Sequence, residues 1–224
     1  MITCKLHHIE QITADIYTFW FTPDKPLDYT AGQFIELTLP HEAADSRGIK
    51  RWFTLSSSPT EPLLGITTKL AEQPSSFMKS LFSLQPGEVV NFSAAMGDFV
   101  VPINKTIPLL FVVGGIGITP LRSMLQWLKD SNQKRHIEVL FTAKTAADLA
   151  FLPLLNSQAS IKHFVNNQKL TSQDVLAVAN TQPNSLIYIS GPEKFVEQLV
   201  TELQAADIAM SRLVTDYFPG YSEL

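Results

Sequence analysis

The chain has 224 residues, 45% of them hydrophobic and 17% charged, with a formal net charge of −4. That length buries a real core in one large domain or two small ones, and the absence of any Lys or Arg cluster argues against a nucleic-acid partner. A single cysteine, Cys4, excludes an internal disulfide and any all-cysteine iron–sulfur cluster within the chain.

Residues 1 to about 103 read as β-structure. Lys5, His7, His8, Glu10 and Asp15 break up the N-terminal stretch, which therefore lacks the apolar core of a signal peptide, and a cytoplasmic location is expected. The five histidines show no metal-ligand spacing, so no metal site is expected; His7 and His8, adjacent on a strand, should point to opposite faces. Runs rich in Thr, Ile, Tyr, Phe and Trp over 3–12 and 16–22 are strands, parted by Thr13, Ala14 and Asp15. Pro23, Asp24, Pro26 and Asp28 make a loop, 35–39 alternates as a strand, and a polar loop covers 41–50.

The next strand carries Arg51-Trp-Phe-Thr-Leu-Ser-Ser-Ser-Pro59, with Arg51, Phe53 and Leu55 on one face and Trp52, Thr54 and Ser56 on the other. A guanidinium grips a pyrophosphate with two parallel bonds, an aromatic ring lies flat on another ring system, and a hydroxyl bonds a ring edge. Taken singly, each also has an ordinary structural role: a surface charge, a core aromatic, a strand threonine. A strand over 63–70 follows, then a helix start at Pro74, Ser75 and Ser76 ahead of apolar Phe77, Met78, Leu81 and Phe82, and a strand over 89–94.

From Lys105 the pattern changes to alternating strands and helices. The apolar run 109–113 is the signature of a strand buried on both faces. Gly114, Gly115 and Gly117 end it, Thr119 offers a hydroxyl as N-cap, Pro120 suits the first helical position, and Leu121, Met124, Leu125 and Leu128 form one apolar helix face. Strand, glycine turn and helix in that order suit a phosphate, although a tight strand-to-helix turn explains the glycines equally well. The run 107–118 is broken by glycines and too short to span a bilayer. Further strands are expected over 137–142, 161–165, 186–189 and 210–215, with helices over 146–155, 172–179 and 195–203. Five strands with crossover helices mean a parallel sheet, whose ligands sit at the strand C-terminal ends, where the glycine turn and Ser190-Gly191-Pro192 both fall. Ser190 is equally suited to capping the helix that follows.

Gly114-Gly-Ile-Gly-Ile-Thr-Pro120 resembles the GGxGxTP nicotinamide-nucleotide loop of the ferredoxin–NADP reductase family. In order along the chain, 51–57 is similar to its flavin motif R-x-Y-[ST]-x-x-S, the 73–76 turn to its diphosphate turn, 97–102 to its G-x-F-x-x-P segment, Ser190-Gly191-Pro192 to its Cys-Gly-Pro, and 216–221 to its E-x-F-x-G-Y terminus. The resemblance implies an antiparallel six-stranded flavin β-barrel over 1–103 and a C-terminal α/β domain with a five-stranded parallel sheet for the nicotinamide nucleotide over 104–224. It implies FAD and NAD(P)H as cofactors, hydride passing from nicotinamide to flavin and electrons then going to a separate acceptor, a soluble redox protein such as ferredoxin or flavodoxin or a small molecule. Arg51 would hold the diphosphate with Ser75 and Ser76, Phe53 would stack on the flavin, Thr54 would reach its edge, and Trp52 and Ser56 beside them would also contact the cofactor. Gly114, Gly115, Gly117, Thr119, Pro120, Gly191 and Pro192 would take the nucleotide. Thr54, Ser190 and Phe218 would lie at the reacting rings, with Phe218 or Tyr221 covering the flavin. Phe53 replaces the usual tyrosine, Ser190 the cysteine and Asp216 the glutamate. The arginine that holds a 2′-phosphate in NADP-selective relatives is missing from 165–168, which favours NADH. A flavin reductase using free flavin as substrate, and a non-catalytic electron-transfer or nucleotide-sensing subunit, are the competing expectations.

Overall fold

A computed structural model of the chain describes residues 1–42, 44–46 and 48–218. The N-terminal half forms a six-stranded antiparallel sheet from β1 (Ile2–Gln11), β2 (Ile16–Pro23), β3 (Phe34–Thr38), β4 (Lys50–Thr54), β5 (Leu64–Lys69) and β6 (Val89–Phe92). The strands are ordered β4-β3-β6-β1-β2-β5. The two edge strands meet where Leu55 bridges Ile66 and the Ser56 N–H donates to the Gly65 carbonyl at 2.8 Å, closing the sheet into a barrel. Alternation fills the interior, with Cys4, Leu6, Phe19, Phe21, Ile35, Leu37 and Phe92 all inward and fully buried. Helix α1 (Ser76–Ser83) plugs this barrel with Phe77 and Leu81.

His7 and His8 do not diverge. The β1–β2 register slips between Leu6 and His8, and this bulge turns both imidazoles to the same side, their Nδ1 atoms 2.8 Å apart.

The C-terminal half is a parallel sheet of β7 (Leu109–Gly114), β8 (Ile137–Thr142), β9 (Ser160–Phe164), β10 (Leu186–Pro192) and β11 (Leu213–Phe218), ordered β11-β10-β7-β8-β9. Helices α2 (Ile118–Asp130), α3 (Leu152–Gln158), α4 (Ser172–Thr181) and α5 (Glu193–Ala205) cover it. The β7 run is apolar throughout because Leu109, Phe111 and Val113 face the α2 side and the barrel, while Leu110 and Val112 pack with residues of α4 and α5.

Two expected elements differ. Instead of one helix over 146–155, a 3-10 turn over Ala146–Asp148 is followed by α3, with Phe151 between them at φ +61°. Pro153 has no N–H and its ring would clash with the carbonyl four residues back, so the helix restarts there. The last strand begins at Leu213 rather than Met210, because Met210–Arg212 form a 3-10 turn, anchored by the Arg212 guanidinium donating to the Ser185 carbonyl at 3.0 Å.

The two halves share a core: Ile16, Ala31, Phe99 and Val101 of the barrel side pack with Phe111, Leu121 and Met124. The Tyr188 hydroxyl donates to the Val100 carbonyl at 2.7 Å, and its burial pushes the phenol up to about 12. Arg135 grips the connection by donating to the Pro102 and Asn104 carbonyls at 2.7 and 2.9 Å. Among the described residues, no helix is long and apolar enough to cross a membrane, and no three His, Cys, Asp or Glu side chains are grouped to hold a metal ion.

Candidate active site

The order of the parallel sheet reverses direction between β7 and β10, and ligands of such sheets bind beyond the strand C-terminal ends at this point. Gly114 to Gly117 on one strand and Ser190 to Pro192 on the other meet there, as the sequence placed them. Gly117 is packed so tightly that a Cβ would sit 2.3 Å from the Ser190 carbonyl oxygen. Gly115 differs: its φ is +53° and the space where a side chain would go is open. Ser190 is fully buried, and its Oγ has no hydrogen-bond partner among the described residues. It does not cap α5, whose N-cap is Pro192.

The helix after the loop starts two residues earlier than expected. Gly117 is the N-cap, and Thr119 sits inside the first turn with its hydroxyl donating to the Ile116 carbonyl at 3.1 Å. Pro120 is thus the third helical residue, where an N–H still lacks an intrahelical acceptor.

On the barrel, β4 separates its side chains as alternation requires. Arg51 is only 7% exposed, its guanidinium 4.9 Å from the centre of the Phe77 ring, and Phe53 stacks on the same ring at 6.2 Å. The guanidinium also donates to the Lys50 and Gly48 carbonyls at 2.6 and 3.2 Å and lies 3.6 Å from Asp45. Helix α1 brings its N-terminus to this face. Ser75 is the N-cap, accepting from the Met78 N–H at 3.3 Å. Ser76 lies beside it. Arg51 and Phe53 therefore pack on the ring of Phe77 in the first turn of α1, so that a cation lies near a helix N-terminus.

His41 joins this group unannounced by the sequence. Its Nδ1 lies 2.9 Å from the Leu39 carbonyl and its Nε2 3.4 Å from the Ser76 hydroxyl. A histidine inside a polar loop carries no periodic or motif signal, so only the folded loop reveals it.

Three predicted residues stand apart. Trp52 is 67% exposed on the opposite face of β4, against Phe34. Ser56 is buried and its hydroxyl accepts from Thr67, whose own hydroxyl pairs with Thr18, both at 2.8 Å, so that side chain is held on the outer face of the barrel, the face from which Ile16 packs toward the parallel-sheet domain. Tyr221 lies outside the described residues. The backbone of Phe218 pairs with Pro192 at the end of β11, and Asp216 pairs with Ser190. Burial pushes the Asp216 carboxyl up to about 6, against a hydrogen bond from the Tyr217 backbone, while the charge of Asp98 adds to the rise.

The two half-sites are physically joined. Just beyond Thr54, the Ser56 carbonyl accepts from Arg122 at 3.0 Å and the Ser57 carbonyl from the Ser123 hydroxyl at 2.5 Å, both residues of α2 and only a few positions past the glycine loop.

The molecule sets a closed antiparallel barrel beside a parallel α/β sheet whose glycine loop and Ser190–Pro192 turn meet at the strand ends. Residues 111–166 match the family described as oxidoreductase NAD-binding domain. The chain is 33% identical over 146 residues to the glycine betaine monooxygenase reductase subunit of Chromohalobacter salexigens, covering 63% of this chain and 38% of that protein. It is 24% identical over 226 residues to the flavohemoprotein of Oceanobacillus iheyensis, covering 91% of this chain and 55% of that one. The chain thus spans only part of the length of these curated relatives. In fold it is similar to ferredoxin-NADP+ reductase from Plasmodium falciparum, with a TM-score of 0.81 and 16% identity over 96% of this chain and 95% of that one. The FAD/NAD-binding domain of nitric oxide dioxygenase from Vibrio cholerae superposes with a TM-score of 0.82 and 19% identity, covering 97% and 98% of the two chains. Residues 111–166 thus belong to the oxidoreductase NAD-binding domain family, and the chain as a whole has the two-domain fold of ferredoxin-NADP+ reductase.

Proposed function

We propose that this chain takes a hydride from NADH onto FAD held by the barrel and passes electrons singly or in pairs to a separate acceptor, a redox protein or small molecule. Residues 1–103 hold the flavin and 104–224 the nucleotide. The observation that carries this reading is convergence: the Arg51–Phe53 strand and the glycine loop exit onto the same junction, tied through Ser56, Ser57, Arg122 and Ser123.

The residues fit both groups. Arg51, with Ser75 and Ser76 at the start of α1, supplies the positive, hydrogen-bond-donating surface that a dinucleotide diphosphate needs, and Phe53 supplies a flat apolar face. At the other half-site, the open space at Gly115 admits a ligand against the main chain, and the buried, unpartnered Ser190 hydroxyl gives a polar ligand edge something to bond. When bound, flavin and nicotinamide supply the hydride chemistry; the protein orients them and excludes water. Thr54, buried at the end of β4, would orient the flavin edge in this reading. Phe218, on the strand beside β10, borders the nicotinamide side.

NADH rather than NADPH fits the turn after β9. Asn166 and Asn167 both adopt positive φ, 53° and 72°, making a tight polar turn without an arginine. Lys144 lies at the exit of β8, its carbonyl accepting from the Asn166 N–H at 3.1 Å, and a lysine is a poorer partner for a 2′-phosphate than a planar fork.

The test is purification followed by FAD titration. A yellow protein with one FAD per chain, whose affinity drops at least about tenfold in R51Q, supports the reading. Flavin that washes away while free flavin is turned over indicates a flavin reductase, a reading that Phe53, lacking a phenolic hydroxyl, would favour. No flavin binding at all overturns both.

A further inference from the structure

Resting on that reading, we propose that Arg122 and Glu61 are positioning residues for hydride transfer: their ion pair sets how closely the nicotinamide loop approaches the flavin strand. Arg122 lies on α2, five residues after Gly117, and Glu61 lies in the loop leaving the flavin strand. Both guanidinium Nη atoms donate to the Glu61 carboxylate, Nη2 to Oε1 at 2.8 Å and Nη1 to Oε2. The pair is largely buried, with side-chain exposures of 12% and 20%.

Its surroundings come from both domains. The guanidinium lies 5.3 Å from the ring of Trp20, on β2 of the barrel, and 5.9 Å from the ring of Phe151, ahead of α3 in the nucleotide domain. The Trp20 indole is itself fixed by donating to Glu10 at 2.8 Å. Phe151 holds a left-handed backbone, unusual for an aromatic residue, while its ring lies beside Arg122. Glu61 reaches back as well: its Oε2 accepts the Ser58 N–H at 2.6 Å. The carboxylate thus shapes the turn carrying Ser56 and Ser57, whose carbonyls accept from Arg122 and Ser123. Thr54 and Gly117 are consequently connected by a short chain of hydrogen bonds and rings with little freedom to lengthen. None of these residues needs to touch either cofactor; the node acts through the two backbones it joins.

Hydride transfer falls off steeply with misplacement, so loosening this node should cost rate rather than binding; a shift of about 1 Å is worth about a hundredfold. The experiment uses the full chain loaded with FAD and compares E61Q, R122Q and the double variant. The rate constant for flavin reduction at saturating NADH should fall about a hundredfold in each single variant, with the double variant no slower than the worse single one. The long-wavelength charge-transfer absorbance of the flavin–nicotinamide pair should weaken in parallel, while FAD and NADH dissociation constants stay within about twofold. R122K, which keeps the charge and stem but not the fork, should reduce at an intermediate rate and serves where R122Q does not fold.

Unchanged rates and charge-transfer absorbance with only a lower melting temperature would make the node purely structural and overturn the proposal. So would additive losses in the double variant, or a loss confined to cofactor affinity. Failure of the wild-type flavin to be reduced is a different result: it removes the functional reading itself, and the node's role with it.

Discussion

Gly117 and Ser190 touch backbone to backbone: a Cβ added at Gly117 would meet the Ser190 carbonyl oxygen at 2.3 Å and the Gly191 nitrogen at 2.7 Å. No flexible side-chain end is available to move aside. G117A should therefore destabilise the fold by about 1–3 kcal/mol and displace the β10 terminus from the loop. G115A meets only open space and pays for its positive φ alone, on the order of 1 kcal/mol. Denaturant melts of the two variants check the order; a more stable G117A than G115A would contradict it.

Asp216 gives a pH-dependent stability with a defined sign. Burial raises its carboxyl from 3.8 to about 6, so folding favours the protonated form. That contribution is fully present below about pH 4 and is lost as pH rises through 6. D216N keeps the shape without the charge. It should melt higher than wild type at pH 8 by on the order of 1–3 kcal/mol, several degrees for a chain of this size, and the gap should close by about pH 4. Calorimetry across that range is the check, and a gap that widens on acidification would reverse the sign.

Cys4 should be inert in the native protein. It is fully buried in the barrel, and desolvation, reinforced by the charge of Asp24, pushes its thiol up to about 12. Ellman's reagent should label it only after denaturant is added; stoichiometric labelling of the native chain would mean the barrel opens readily.

Selectivity for the nucleotide is measurable by steady state. With Asn166, Asn167 and Gln168 where an arginine would grip a 2′-phosphate, kcat/KM for NADH should exceed that for NADPH. The reverse ratio would point to Lys144 or Lys169 as sufficient phosphate ligands.

Much of this architecture was legible because its signals are local. The unbroken run from Leu109 to Val113 announces a strand covered on both faces, and the glycines after it announce a tight turn. Arg51 and Phe53 were legible as a pair because β-alternation puts them on one face. What escaped depends on contacts distant in sequence. His41 reaches Ser76 across 35 positions, and Arg122 reaches Glu61 across 61. Neither has a neighbour in the sequence that marks it. Ser56 was expected at the flavin, yet its hydroxyl is taken by Thr67, which pairs with Thr18 on the outer face of the barrel. Thr119 was expected as an N-cap from its place before Pro120, but the 3-10 turn over Gly115–Gly117 winds directly into α2 and moves the cap back to Gly117.

Anaerobic stopped-flow mixing of the FAD-loaded chain with NADH asks most directly whether the barrel and the sheet present their two rings to each other. Loss of the flavin absorbance near 450 nm in a single turnover, at a rate that saturates with NADH concentration on the order of 1–10³ s⁻¹, is the result that follows from the junction described above. A flavin that stays oxidised at saturating NADH, in a chain shown to bind both molecules, would contradict it.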